Sequence, residues 1–519
     1  MRLIFLYFTV QLIVVENREN VKSRVGNSIR IALFFGLLIL SLIPTIITSS
    51  IPSVFAQPED PFPESKSNLT QAQRSAREQL LKQEGFTVNV LATNLSRPFN
   101  LLYGLDDALW ITEREGKDIT RVDPVTGAKL SSTPVPNVHQ SAGQDGLLGM
   151  TFDPNFNDTH FIYVAYTYDA DPGEGLDRRT KITRFTYDTS TSTIGSPMDL
   201  ISGLSGSGDH NSGRMIFGQD GKLYYTIGDQ GKNQLALFCM NDLAGHLPTS
   251  VEVSAKNWTT YEGKVLRMNP DGSIPDDNPE IKGVKSHIFT YGHRNAQGIA
   301  MGPNGDIYVA EHGDNSDDEI NRLQPGGNYG WPYISGYKDN KAYQFYNWSA
   351  APNCKDLTFN DVAPAPPGVP VMNESEFNAT DLVAPLHTFY TVDSDFNFIN
   401  HTCGEMASVC YPTVAPSSLR LYTSDVIPGW ENKLLMTTLK AGKIFQIELN
   451  DNGTALASNP VELFRSENRY RDVAFGPDGK TIYVITDVSG PVQAMKAGPI
   501  TPTTDLWSLG SLLVFKYIR

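Results

Sequence analysis

The sequence predicts an all-β protein: a six-bladed β-propeller of four-stranded antiparallel blades, preceded by an N-terminal signal or anchor segment. A turn-and-strand phrase recurs as GQDGKLYYTIGD from Gly218, GPNGDIYVAEHG from Gly302 and GPDGKTIYVITD from Gly476, with looser relatives in DPNFNDTHFIYVAYTY and YGLDDALWITER. Each reads as a tight turn followed by an alternating or apolar strand, one hairpin of a repeated sheet. Almost no amphipathic helix follows residue 85, and the phrases lie about 50 to 85 residues apart, so about six units fit with loops of unequal length between them. A pair of β-sandwiches is the alternative architecture.

In chain order, the first 56 residues stand apart. Two apolar runs, LIFLYFTVQLIVV and IALFFGLLILSLIPTIITSSIPSVFA, flank a hydrophilic piece with Arg18, Lys22, Arg24 and Arg30. The second run ends in Val54-Phe55-Ala56, a small-x-small pattern suited to cleavage before Gln57, so residues 1–56 read as a signal peptide or an uncleaved membrane anchor. Either places the rest outside the cytoplasm, with any membrane link made only through that segment. Residues 57–83 read as a polar linker with a short helix, and 84–519 as the propeller. Nine N-x-S/T sequons from Asn68 to Asn452 fit an exported, glycosylated chain. Of the four cysteines, Cys403 and Cys410 in CGEMASVC stand close enough to close a small disulfide loop, while pairing of Cys239 and Cys354 stays open. No zinc-ligand spacing accompanies them. The formal charge of -15 and the lack of a concentrated basic face argue against nucleic acid as a partner.

Equivalent loops of a propeller converge at one mouth, so residues distant in sequence form one pocket. Against the acidic background stand Arg294 in YGHRNAQG, Lys440 in TTLKAGK, and Arg469 and Arg471 in SENRYRDV, whose alternation puts both on one strand face. Cations near equivalent points of separate repeats suggest a multiply anionic ligand. EHGDNSDDEINRLQPGGNYGWP from Glu311 offers the oxygen ligands calcium prefers. It is not an EF-hand: counted from Asp314, the sixth position is Glu319 and the twelfth Pro325. In GSGDHNSGRMIF, His210 is a proton acceptor that Asp209 or another acceptor orients, and no serine sits in a nucleophile-elbow context.

These motifs resemble the soluble quinoprotein glucose dehydrogenases, six-bladed propellers that use pyrroloquinoline quinone (PQQ). The resemblance runs from about GFTVNVLATNLSRPFNL to the end, through GQDGLLGMTFDP, DHNSGR, YYTIGDQGKNQLA, YGHRNAQG, NSDDEINRLQPGGNYGWP, GYKDN, CGEMASVCYPTVAPSS and NRYRDV in the family's order. It implies oxidation of an aldose at its anomeric carbon, giving a lactone, with His210 as general base and Arg294 stabilising charge on the quinone. It further implies Gln144, Asp209, Asp229, Gln234, Leu235 and Tyr411 along the sugar pocket. PQQ falls to Arg294, Asn295, Thr413, Lys440, Arg469 and Arg471. A PQQ-bridging calcium falls to the carbonyls of Gly313 and Asp314, where the family has proline at the second position.

A structural calcium falls to Glu319, the Tyr329 carbonyl, Asp339 and Glu376, near a homodimer contact. Ser408 and Tyr411 replace a tyrosine and a tryptophan at the family's pocket rim, which loosens the expectation of glucose preference. An external electron acceptor completes the cycle. The functional alternatives are a calcium-dependent propeller lactonase or hydrolase and a non-catalytic sugar- or protein-binding propeller.

Overall fold

Six sheets of four antiparallel strands follow one another along the chain, as expected for the propeller. The structure is a computed structural model that describes residues 81–82, 84–360, 362–399, 403, 406, 408–493 and 502–519. These lie in the compact unit Asp60–Arg519. The expected signal or anchor, and the linker up to residue 80, fall outside the described residues. The end of the expected short helix is seen at Leu81, Lys82 and Glu84.

The innermost strands of the blades are Pro98–Tyr103, Leu147–Phe152, Met215–Phe217, Asn295–Met301, Pro416–Tyr422 and Tyr470–Phe475. Each pairs with the next strand in sequence. The repeated phrase is the turn of this first hairpin. In it the Gly218 N–H donates to the Lys222 carbonyl at 3.0 Å, the Gly302 N–H to Asp306 at 2.8 Å and the Gly476 N–H to Thr481 at 2.8 Å. The second glycine of each phrase, at 221, 305 and 479, has φ of 68°, 86° and 63°, a conformation a side chain disfavours.

The last blade takes its outermost strand from the other end of the chain. Phe86–Ala92 pairs antiparallel with Leu512–Tyr517, Phe86 opposite Tyr517. This closes the ring by hydrogen bonding instead of leaving two free edges. Between blades the sheets pack face to face: Trp110 meets Phe152 and Tyr187 edge-on at 5.4 and 4.8 Å, joining the first blade to the second.

Arg214 pins the axis. From the third blade its guanidinium donates to Asn100 Oδ1 at 3.2 Å, the carbonyls of Gln297, Ser417 and Arg471 at 3.0, 2.7 and 3.0 Å, and Asp472 Oδ2 at 2.7 Å. One planar fork thus ties its own blade to four others. Burial opposes ionisation of Asp472, but Arg214 and Arg420 outweigh it and hold the carboxyl below its ordinary range.

Candidate active site

An antiparallel hairpin brings the start of its first strand and the end of its second to the same end of the ring. Asn295 faces His312 in this way in the fourth blade. Loops before the first strand therefore deliver Gln144, Asp209, His210, Arg294, Thr413 and Arg469 to one mouth, and loops after the second deliver Asp229, Gly313, Asp314, Lys440 and Asp487.

His210 sits with φ of 39°, and its carbonyl oxygen would lie 1.9 Å from any Cβ at position 228. This approach is why the phrase continues Gly228-Asp229. The His210 ring is buried, and its Nδ1 lies 2.8 Å from Asp229 Oδ1. A carboxylate at that distance fixes the proton on Nδ1 and leaves the Nε2 lone pair to act as a base. Nε2 lies 3.8 Å from Asp209 Oδ1, which also accepts the His210 N–H at 2.9 Å and the Gln144 amide.

Asp229 is completely buried, and its other bonds come from Gly231 N–H at 2.8 Å, Gln234 Nε2 at 2.7 Å and Trp331 Nε1 at 2.9 Å. Expected along the sugar pocket, it lies fully buried behind His210, in contact with the Nδ1 side of that ring. Burial resists its ionisation, but the His210 ring counters that and the net effect lowers its pKa. The same indole N–H lies 2.9 Å from Asp242 Oδ2, whose pKa burial and then the Asp229 charge raise well above its ordinary range.

Arg294 donates through Nη2 to Gln234 Oε1 at 2.6 Å, lies 3.5 Å from Asp314 Oδ1 and stacks 5.2 Å over Trp331, while its enclosed Nε has no hydrogen-bond partner among the described residues. Lys440 donates to the Tyr411 carbonyl at 2.8 Å, the Ser408 carbonyl at 3.3 Å and Thr413 Oγ1. Burial brings the Lys440 ammonium down to about 8 despite nearby Asp318. Arg469 donates to the Pro491 carbonyl at 2.5 Å, its Nε without a hydrogen-bond partner among the described residues, and Arg471 binds Asp487 at 2.5 Å. Arg469 precedes the strand and Arg471 lies within it, so the expected shared strand face is realised as two cations on either side of a strand start, both coupled to Asp487. Asn295 Oδ1 accepts Ser212 N–H at 3.2 Å.

Orphaned guanidinium nitrogens and an excess of cations fit a polyanion such as PQQ. His312 registers this field. Burial first, then Arg294, His210 and Arg471, push its imidazole down to about 3, and Nε2 lies 2.7 Å from the Pro416 carbonyl.

The acidic segment splits in two. Gly313 N–H donates to Asp318 Oδ1 at 3.0 Å, and Asp318 Oδ2 also receives Ala415 N–H at 2.8 Å, so this buried carboxylate braces the loop carrying the Gly313 and Asp314 carbonyls. Farther along, Glu319 Oε1 accepts Gly336 N–H at 2.6 Å and burial raises its carboxyl. The fourth residue expected for a structural calcium, Glu376, does not join this cluster. Glu376 is exposed and accepts the Asn373 N–H of its own short helix at 2.7 Å, whereas buried Glu374 reaches Ser335, Asp339 and Asn340 N–H at 3.2, 3.1 and 2.8 Å. Tyr329 stacks on His293 at 4.5 Å beside this cluster. No group of three or more His, Cys, Asp or Glu side chains poised for a metal occurs among the described residues. Backbone carbonyls are outside that donor set.

At the rim Leu235 is 46% exposed, and Tyr411 meets Phe398 edge-on at 5.5 Å. A cavity of about 120 Å³ lined by Asp314, Tyr343, Tyr346, Phe396 and Phe398 adjoins Arg294's partner. The Cys403–Cys410 disulfide forms as expected, and Cys239 pairs with Cys354. Sequence reasoning missed Trp331, Asp242, His312 and Asp318. Only the first carried a usable signal, as the aromatic in GGNYGWP.

The glucose/sorbosone dehydrogenase family matches residues 95–386 and 401–493. Quinoprotein glucose dehydrogenase B of Acinetobacter calcoaceticus is 47% identical over 443 residues, 84% of this chain and 92% of that protein. The apo-form crystal structure of the soluble aldose sugar dehydrogenase of Escherichia coli is 26% identical, covers 83% of this chain and 99% of its own, and superposes with a TM-score of 0.56. The PQQ-bound aldose sugar dehydrogenase of Streptomyces coelicolor, 24% identical over 83% of this chain and 98% of its own with a TM-score of 0.54, shares the fold. With its six blades and this match across most of its length, the chain belongs to the glucose/sorbosone dehydrogenase family of propeller enzymes.

Proposed function

We propose that the protein oxidises an aldose at its anomeric carbon to the lactone, using PQQ held by Asn295, Thr413, Lys440, Arg469 and Arg471. The observation that carries this reading is the His210–Asp229 pair, 2.8 Å apart, set in the same mouth as a surplus of buried cations. PQQ, when bound, supplies the two-electron acceptor for the hydride that leaves the anomeric carbon. His210 Nε2 removes the proton of the anomeric hydroxyl. Asp229 holds the ring in the required tautomer and stabilises the imidazolium that results. Gln144 and Asp209 bind sugar hydroxyls, and Arg294 offsets negative charge that develops on the acceptor.

Calcium at the Gly313 and Asp314 carbonyls supplies Lewis acidity when bound, and a second calcium at Glu319, Asp339 and Glu374 supports the fold. Export through residues 1–56, an external electron acceptor and a homodimer complete the reading. The test is reconstitution of apoprotein with PQQ and calcium, then an aldose panel with an artificial acceptor. Loss of oxidised-PQQ absorbance on adding sugar is expected; retention of that absorbance with every aldose, despite bound PQQ, overturns the reading.

A further inference from the structure

The first or second residue past the second strand of a blade lies at the mouth in four blades: Gly313 and Asp487 one residue beyond, Asp229 and Lys440 two. In the first blade that position, one residue beyond Leu109–Glu113, belongs to Arg114. The backbone holds it firmly, since its N–H donates to the Arg97 carbonyl at 2.9 Å and its carbonyl accepts Leu147 N–H at 3.2 Å. Arg114 is only 5% exposed. Its guanidinium makes no hydrogen bond or ion pair among the described residues, and its enclosed Nε is without a partner.

A buried guanidinium ordinarily finds a carboxylate, because desolvating an unpaired charge costs several kcal/mol on the order of magnitude expected for an ion. The nearby Asp487 is already engaged, by Arg471 at 2.5 Å and Arg97 at 3.7 Å. Glu115 pairs with Arg97 at 2.5 Å, toward the rim. Burial first, then the adjacent Arg471, bring Arg114 down to about 10. Arg114, Arg469 and Arg471 therefore crowd around one buried carboxylate, an arrangement that lacks an anion.

We propose that Arg114 is a further cofactor-binding residue, a cationic anchor that receives a carboxylate of the multiply anionic ligand alongside Lys440, Arg469 and Arg471. The inference rests on the reading of the mouth as a PQQ site. It gives Arg114 opposite effects in the two states: a buried charge only partly offset by Asp487 and Glu115 in the apoprotein, a bonded partner in the complex.

The experiment titrates full-length apoprotein with PQQ, followed by the cofactor's absorbance, for the natural chain, Arg114→Gln and Arg114→Lys, and melts each apoprotein. Arg114→Gln is expected to raise the Kd for PQQ about 10- to 100-fold, as loss of a charged hydrogen bond does. Its apoprotein should melt no lower than the natural one, and Arg114→Lys should fall between the two in affinity. Unchanged PQQ affinity in Arg114→Gln, with the natural protein binding, overturns this inference alone. A lowered apoprotein melting temperature in both variants makes Arg114 a structural residue and also overturns it. No PQQ binding by the natural protein overturns the cofactor reading and this inference with it.

Discussion

His210 Nδ1 and Asp229 Oδ1 lie 2.8 Å apart across a hairpin whose Gly228 leaves no room for a side chain. Because Asp229 has no exposed surface, the proposed mechanism expects any effect of it on turnover to run through His210. Asp229→Asn is expected to lower kcat by about 100- to 10,000-fold, the range for losing general base catalysis, while the Kd for PQQ stays unchanged. Stopped-flow bleaching of bound PQQ by excess sugar measures the first, and titration the second.

If Lys440 anchors the cofactor as proposed, cofactor binding is expected to depend on pH. Its ammonium is lowered to about 8 in the apoprotein by burial, and an anionic ligand favours the charged form. Affinity is therefore fully present below about pH 8 and falls as pH rises through that value, by up to about tenfold per unit. Equilibrium titrations between pH 6.5 and 9.5, roughly bracketing that pKa, should show this slope, and Lys440→Met should bind more weakly with the slope gone.

Arg214 predicts a stability effect remote from chemistry. Arg214→Met leaves Asp472 buried with only the more distant Arg420, 3.2 Å away, as its charged partner. Breaking such a pair costs about 3–5 kcal/mol, read as a lowered denaturant midpoint. Adding Asp472→Leu to Arg214→Met should recover part of that loss, because the stranded charge goes with it.

Glu374 and Glu376 separate by burial, not by chemistry. If calcium occupies the cluster of Glu319, Asp339 and Glu374, added calcium raises the melting temperature of the apoprotein. Glu374→Gln should abolish that rise, and Glu376→Gln, altering an exposed side chain bonded to its own helix, should keep it. Equal responses in the two variants would reject the assignment of Glu374.

Much of the fold was legible because hairpin chemistry is local: the glycines at 218 and 221 and their counterparts at 302, 305, 476 and 479 specify each turn within a few residues. The ring closure was less so, since nothing near Phe86 announces that it pairs with Tyr517 at the opposite end of the chain. His210, Arg294 and the Lys440, Arg469 and Arg471 set were legible as unusual side chains at repeat boundaries. Arg114 and Asp242 were not, because an arginine or aspartate beside a strand looks like any solvated turn until its burial is known.

By itself the sequence determined the blade repeat and the family and singled out His210 as the proposed base, all carried by short runs whose spacing survives unequal loops. Tertiary structure alone decided that Asp229 is buried behind His210, that Glu374 and not Glu376 turns inward, and that the Arg114 guanidinium has no hydrogen-bond or ion-pair partner among the described residues. Each depends on which atoms are excluded from water and what they meet there, and that is settled only when six blades close around one axis.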